Sequence, residues 1–199
     1  MTWPTVWPRS WARLSRHAPS PWASSDHHLA FSGTLSLRPE TLMMILLDYT
    51  DSLVVSGFTR IVFIPSHGGN FATVRQAIEE ASRAHPGVQV TGYTDLLGFS
   101  GFLNGVSEEY GISAEASGAH AGENETSIMM ALEPQLVLSD RFSPGYLGPL
   151  GQEQVSLILE RGMPALTENG VLGDPQQAGA DKGEVYQERL AAFLVEHLG

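Results

Sequence analysis

The sequence predicts an α/β domain built on a parallel sheet. Apolar runs at 60–65 and 88–93 are typical of buried strands, and a segment of helical periodicity separates them. This strand–helix–strand order indicates parallel strands, because a parallel connection has to cross back over the sheet. The length of 199 residues suits one such domain better than two.

The first 25 residues differ from the rest of the chain. They contain all four tryptophans and three arginines, and no acidic residue. Their prolines interrupt any helical pattern. We predict an irregular arm over residues 1–25 and a single α/β domain over 26–199. A targeting segment is the alternative, although the arm lacks the apolar core of a secretory signal.

The next elements are predicted from local signals. Residues 31–37 alternate weakly, as a short strand or an extended loop does. Pro39 opens a helix that ends at Gly57, since proline is tolerated at a helix start and glycine is common at a helix end. Asn70 can cap a second helix, which ends at Pro86-Gly87.

The second half of the chain is less periodic. Glycine and serine at 95–119 predict a long loop with one helical turn at most. The remaining predictions are a helix over 125–132, a brief strand over 136–138, a loop over 141–153, a helix or strand over 154–161 and an amphipathic helix over 182–198.

Composition excludes several classes of function. The formal net charge is -11, from 22 acidic and 11 basic residues, so we expect neither nucleic acid nor an anionic membrane as a partner. The chain has no cysteine, which excludes disulfides, thiolate catalysis and cysteine-bound zinc. Because nothing suggests secretion, we expect a cytoplasmic protein.

His67 directly follows the first predicted strand. In open α/β sheets the functional crevice lies beyond the carboxyl ends of the strands. Gly68 and Gly69 allow a sharp turn and close approach of a ligand. The imidazole could bind a metal or act as a base, or the glycines could hold a phosphate. No P-loop lysine follows, and His67 could also be a merely structural residue.

A second cluster comprises His120, Glu123 and Glu125 at the start of a predicted helix. A carboxylate at a helix N-terminus is already explained by the helix dipole, so either glutamate alone could be structural. Together with an imidazole, carboxylates suit Zn, Mn or Fe with an open position for water. Such a metal lowers the pKa of its water to about 7.

These two stretches resemble motifs of the creatininase (creatinine amidohydrolase) family. Residues 66–70 read Ser-His-Gly-Gly-Asn, where the family usually has Asn-Gly-His-Gly-Gly-Asn. Residues 120–127 read His-Ala-Gly-Glu-Asn-Glu-Thr-Ser, where the family has His-Ala-Gly-Glu-x-Glu-Thr-Ser. Further similarity at 28–37, 169–175 and 182–184 extends the resemblance from about Pro21 to the end of the chain.

The resemblance implies a three-layer α/β/α fold with a mainly parallel sheet. It implies hydrolysis of a cyclic or linear amide in a small-molecule substrate by a divalent metal (Zn, Mn or Fe), often a metal pair, in a homo-oligomer. His67 and Glu123 would be metal ligands, and His120 the acid/base residue. Glu125 would support the site or orient the substrate. The loop of Gly68, Gly69 and Asn70 would contact the substrate.

The chain departs from the family pattern at its start. Family members begin with a strand ending in Glu-x-His-Gly, and a His-x-Pro and an aspartate follow. Nothing similar precedes Pro21, so we expect the first strand and helix to be missing and the metal site to be incomplete. Asp26, His27 and His28 could substitute, but His28 matches a family position that does not bind metal.

Two consequences of these departures concern function. A catalytically inactive or truncated family member, either a pseudoenzyme or an assembly subunit, is the alternative to an amidohydrolase. Thr94 stands where creatininase carries a tryptophan near its substrate, so creatinine is not the expected substrate.

Overall fold

A computed structural model of the chain describes residues 23–199. Within this range two short strands pair in parallel, with Ile61 opposite Val90. The predicted α/β fold with a parallel sheet is confirmed, whereas the irregular arm over 1–25 lies almost entirely outside the described residues. The strands are β1 (Arg60–Phe63) and β2 (Gln89–Gly92), and the helices are α1 (Pro39–Val55), α2 (Phe71–Ala84), α3 (Leu96–Glu108), α4 (Ala114–Ser117), α5 (Glu123–Leu132), α6 (Gln152–Arg161) and α7 (Ala180–Leu198).

The two strands and the first two helices form one apolar core. Ile61 of β1, Ala81 of α2 and Val90 of β2 are buried there, and partly buried side chains of α1, including Leu47 and Val54, pack against them. The helices and strands up to residue 92 lie where the sequence predicts them. Their signals are local, because a proline start, a glycine end and a continuous apolar run need no distant partner.

The predicted loop over 95–119 is wrong, since it contains α3 and α4. Asp95 caps α3 by accepting a hydrogen bond from the Gly98 N–H at 2.9 Å. Leu103 and Val106 lie on the buried face of α3 and pack with the fully buried Tyr186 of α7. The apolar residues of α3 keep helical spacing, but the glycines between them obscure this stripe in the sequence.

The brief strand predicted over 136–138 is also wrong. A 3-10 turn occupies Pro134–Leu136 instead, and Leu136 and Leu138 are 67% and 55% exposed. Residues 31–37 form a turn and extended chain and not a strand, with the Thr34 N–H donating to the Phe31 carbonyl. The open choice over 154–161 is decided in favour of a helix, α6.

Helices α5 and α7 approach each other closely at Gly183. A β-carbon added to Gly183 would overlap the Ser127 carbonyl oxygen of α5. We therefore expect Gly183→Ala to destabilise the fold by about 2 kcal/mol, as overpacking does. Urea unfolding of the variant measures the effect.

Gly105→Ala provides the matched control. Gly105 also lies inside a helix, but a β-carbon there would meet nothing within 4 Å. The change should stabilise the protein by about 0.5–1 kcal/mol, because alanine loses less backbone entropy on folding. Equal unfolding midpoints for the two variants would show that Gly183 is not a packing constraint.

No helix among residues 23–199 is long and apolar enough to cross a membrane.

Candidate functional site

His67 lies just beyond the carboxyl end of β1, as the sequence predicts. Its backbone is still extended, and the turn of Gly68–Asn70 leads directly into α2. The side chain of Asn70 makes no capping hydrogen bond to α2. Its Oδ1 instead accepts a hydrogen bond from the Ser24 N–H at 2.9 Å. Asn70 therefore connects the end of β1 to the segment that precedes α1.

The segment of residues 24–28 lies against the glycine turn. A β-carbon on Gly69 would overlap the Ser24 carbonyl oxygen and come within 2.9 Å of His27 Cε1. His67 Nε2 lies 3.2 Å from both Ser25 Oγ and the Ser24 carbonyl oxygen. Because Gly69 has no side chain, residues 24–28 can pack closely against the turn. This packing places His27 and His28 next to His67.

Three histidines form a cluster at this point. The ring centroids of His27 and His67 are 5.5 Å apart with the rings nearly parallel, and His28 lies 5.7 Å from His67. One ring nitrogen from each of the three lies within 4.8 Å of the other two.

His120 and Glu125 lie next to the cluster. The ring of His120 is 4.6 Å from that of His28, and its Nδ1 is 3.6 Å from Glu125 Oε2. Ala121 has a φ of 50°, an unusual left-handed conformation for a residue other than glycine. Its N–H donates to Glu125 Oε2 at 2.8 Å. The strained backbone thereby holds the Glu125 carboxylate beside His120.

The imidazoles of His27, His28 and His120 have lowered pKa values. Burial and the neighbouring histidines lower the pKa of His27 and His28 to about 4, and burial and His67 lower the pKa of His120. Burial raises the pKa of Glu125, opposed by the Ala121 N–H, although 42% of its side-chain surface is exposed. At neutral pH the lowered pKa values keep His27, His28 and His120 neutral, and neutral imidazole is the form that binds metals.

Glu123 does not lie with the histidines. It is fully buried, and its carboxylate accepts hydrogen bonds from Ser127 Oγ at 2.8 Å and Tyr186 OH at 2.6 Å. Lys182 Nζ lies 3.9 Å from it. Glu123 and Glu125 are two residues apart at the start of a helix, so they point in different directions, and only Glu125 reaches the histidines.

The donor set fits a divalent cation. It offers three imidazoles close together and an adjacent carboxylate, a combination that suits Zn or Mn. The sequence indicates His27 and His28 only as possible substitutes for missing ligands, because a pair of adjacent histidines is their only signal. Their place beside His67 depends on contacts of Ser24 and Ser25 with residues 46 and 42 positions away.

A cavity of about 670 Å³ opens beside these residues. His27, His28, His67, His120 and Glu125 all line it, together with Gly68 and Gly69. The structure thus brings His67, His120, Glu125 and the glycine turn together, as the sequence predicts, and leaves out Glu123.

The chain is similar to proteins of one family. The family model for creatinine amidohydrolase (creatininase) matches residues 9–198. A mycofactocin precursor peptide peptidase of Mycobacterium ulcerans (strain Agy99) is 33% identical over 181 residues, which cover 89% of this chain and 61% of that protein. A protein with the same description from Mycolicibacterium smegmatis (strain ATCC 700084 / mc(2)155) is 32% identical over 167 residues, or 83% of this chain and 59% of the relative. The chain therefore spans about three fifths of the length of these relatives.

Solved structures share the fold of this chain. A crystal structure of creatinine amidohydrolase matches with a TM-score of 0.68 and 24% identity, covering 89% of this chain and 71% of the other, which shows the shared fold. A structure described as creatininase Mn matches over the same shares with a TM-score of 0.66 and 25% identity. The family model covers nearly the whole chain, the relatives agree over most of it and the fold is the same, so this chain belongs to the creatininase family.

Proposed function

We propose that this chain is an amidohydrolase that uses a divalent metal to hydrolyse an amide C–N bond. The observation that carries the proposal is the convergence of His27, His28, His67, His120 and Glu125 on one cavity. Membership of the creatininase family and relatives named as peptidases support amide hydrolysis. Solved neighbours described as Zn–Zn and Mn forms of creatininase support a divalent metal.

His27, His28 and His67 would hold the metal. Their coordinating nitrogens lie close together, and the imidazoles of His27 and His28 are neutral at the pH at which amidases work. When bound, a divalent cation supplies a lowered water pKa and polarises the amide carbonyl. Glu123 is not proposed as a ligand, because its carboxylate is enclosed by Ser127, Tyr186 and Lys182.

His120 would carry the proton. Its neutral imidazole can accept a proton from the attacking water and deliver it to the leaving nitrogen, as general acid–base catalysis requires. The Glu125 carboxylate, 3.6 Å from His120 Nδ1, stabilises the positive charge that His120 acquires between the two transfers. Gly68 and Gly69 line the same cavity and would place the backbone of the turn beside the substrate.

The test is metal dependence of amide hydrolysis by the purified chain. We expect a chelator to abolish hydrolysis of a mixed panel of peptide and cyclic amides, and addition of Zn²⁺ or Mn²⁺ to restore it. The amount of metal that restores full activity should correspond to a fixed number of ions per chain. A protein that binds metal at this site but hydrolyses no amide would favour the inactive family member.

A further inference from the structure

A second cavity, of about 490 Å³, meets the first one at the histidines. Within residues 23–199, the linings of the two cavities share His28, His67 and His120 and no other residue. These three histidines therefore form the boundary between two neighbouring spaces. A bond that reacts at the histidines has room for the rest of its molecule in both of them.

Two segments that are held by side-chain hydrogen bonds form much of the second cavity. Residues 31–35 are tied to the histidine cluster, because Thr34 Oγ1 donates to the His28 carbonyl at 3.0 Å. Residues 169–171 are held by Asn169, whose Oδ1 accepts a hydrogen bond from the backbone N–H two residues further on at 3.1 Å. These bonds give the second cavity a defined shape beside the reacting groups.

Both cavities present apolar side chains to water. Leu159, in the first cavity, is 62% exposed, and Leu35, in the second, is 90% exposed. Phe31 and Val171 add partly buried apolar surface to the second cavity. Apolar surface that faces water in a concave site gains free energy when a ligand covers it. A ligand that covers both leucines has to extend past the histidines, which a small cyclic amide is too short to do.

Resting on the proposed function, we propose that the substrate is a peptide whose scissile amide lies at the histidines, with an apolar side chain in each cavity. Leu159 contacts the apolar group on one side of the amide, and Leu35 contacts the group on the other side. Both leucines are then specificity-determining residues for the hydrolysis. The volumes of about 670 and 490 Å³ are each within the range that accommodates such a group and its neighbours.

Binding of an uncleavable peptide to the full chain tests the proposal separately from catalysis. The probe is acetyl-Ala-Leu-Leu-Ala-amide in which a ketomethylene group replaces the amide between the two leucines, so that this bond keeps its carbonyl but cannot be hydrolysed. Calorimetry in a buffer containing Zn²⁺ measures its Kd for the unaltered chain, for Leu35→Ser, for Leu159→Ser and for the double variant. We expect each single change to raise Kd about tenfold. The double change should raise it about a hundredfold, because the two side chains line different cavities and act independently.

Leu138→Ser is the matched control. Leu138 is 55% exposed and lines neither cavity, so its replacement should leave Kd for the probe unchanged. The side chains of all three leucines already face water in the free protein. None of the changes should therefore shift the unfolding midpoint, and a weaker binding of the cavity variants is not caused by loss of the fold.

The inference is overturned if only one of the two cavity variants weakens binding, because the peptide then occupies a single cavity, or if the probe does not bind. Neither result depends on hydrolysis, so the proposed function would still stand. Conversely, a metal-loaded protein that hydrolyses no amide but binds the probe through both leucines would refute the proposed function alone.

Discussion

His67→Ala is expected to remove most of the bound divalent metal and to lower amide hydrolysis at least about a thousandfold. The ring centroids of His27 and His28 lie 5.5 and 5.7 Å from that of His67. A metal contributes several kcal/mol to stabilisation of the transition state, and each 1.36 kcal/mol is a factor of ten in rate. Metal analysis of the purified variant and its kcat/KM measure the two effects.

His85→Ala is the matched control for this change. His85 is a partly exposed histidine that pairs with Asp51 at 2.7 Å and does not belong to the metal cluster. Its replacement should leave metal content and kcat/KM unchanged, and the loss of one exposed side-chain contact costs at most about 1 kcal/mol. If the two variants keep the same metal content, His67 is not a metal ligand, and the proposed metal-dependent mechanism is wrong.

Local sequence signals predicted some of the site but not its arrangement. The position of His67 follows from one strand and two glycines, and the structure places it where the pattern indicates. The choice between Glu123 and Glu125 could not be made from the sequence. It depends on which of the two meets Tyr186, a residue 63 positions further on that packs against α5 from α7. For the same reason the sequence indicated His27 and His28 only as possible substitutes for missing ligands, because tertiary contacts bring them to the site.

The helices missed over 95–117 show a related limit. Three glycines in α3 lower its intrinsic helix propensity, and burial of its apolar face against Tyr186 compensates for that cost. Propensity and composition are local quantities, whereas this compensation comes from the end of the chain.

Glu123→Ala is expected to destabilise the protein by about 3–5 kcal/mol. The change removes a fully buried carboxylate from a closed set of polar contacts. Burial and the nearby Glu123 carboxylate raise the pKa of Tyr186, so its hydroxyl stays protonated and serves as a donor. Without Glu123, the buried hydroxyls of Tyr186 and Ser127 would lose an acceptor, and the partly exposed Lys182 would lose a nearby opposite charge. Urea unfolding gives the free-energy difference.

Glu125→Ala should show the opposite pattern. The Glu125 side chain is 42% exposed and contacts His120 and the Ala121 N–H, so its removal should cost about 1 kcal/mol of stability. Amide hydrolysis should nevertheless fall about a hundredfold, because His120 loses the carboxylate that stabilises its protonated form. The two glutamates lie on one helical turn, and their variants are therefore compared in the same local backbone.

The paired result decides what the start of α5 does. If Glu123→Ala loses stability and Glu125→Ala loses activity, the buried contacts of Glu123 stabilise the position of α5, and Glu125 takes part in the reaction at the cavity. The residual folded Glu123→Ala should then bind metal with nearly normal stoichiometry, because no ligand has been removed. A stable Glu123→Ala variant that has lost its metal would instead show that Glu123 is a metal ligand. It would also mean that the helix turns toward the histidines when metal is bound.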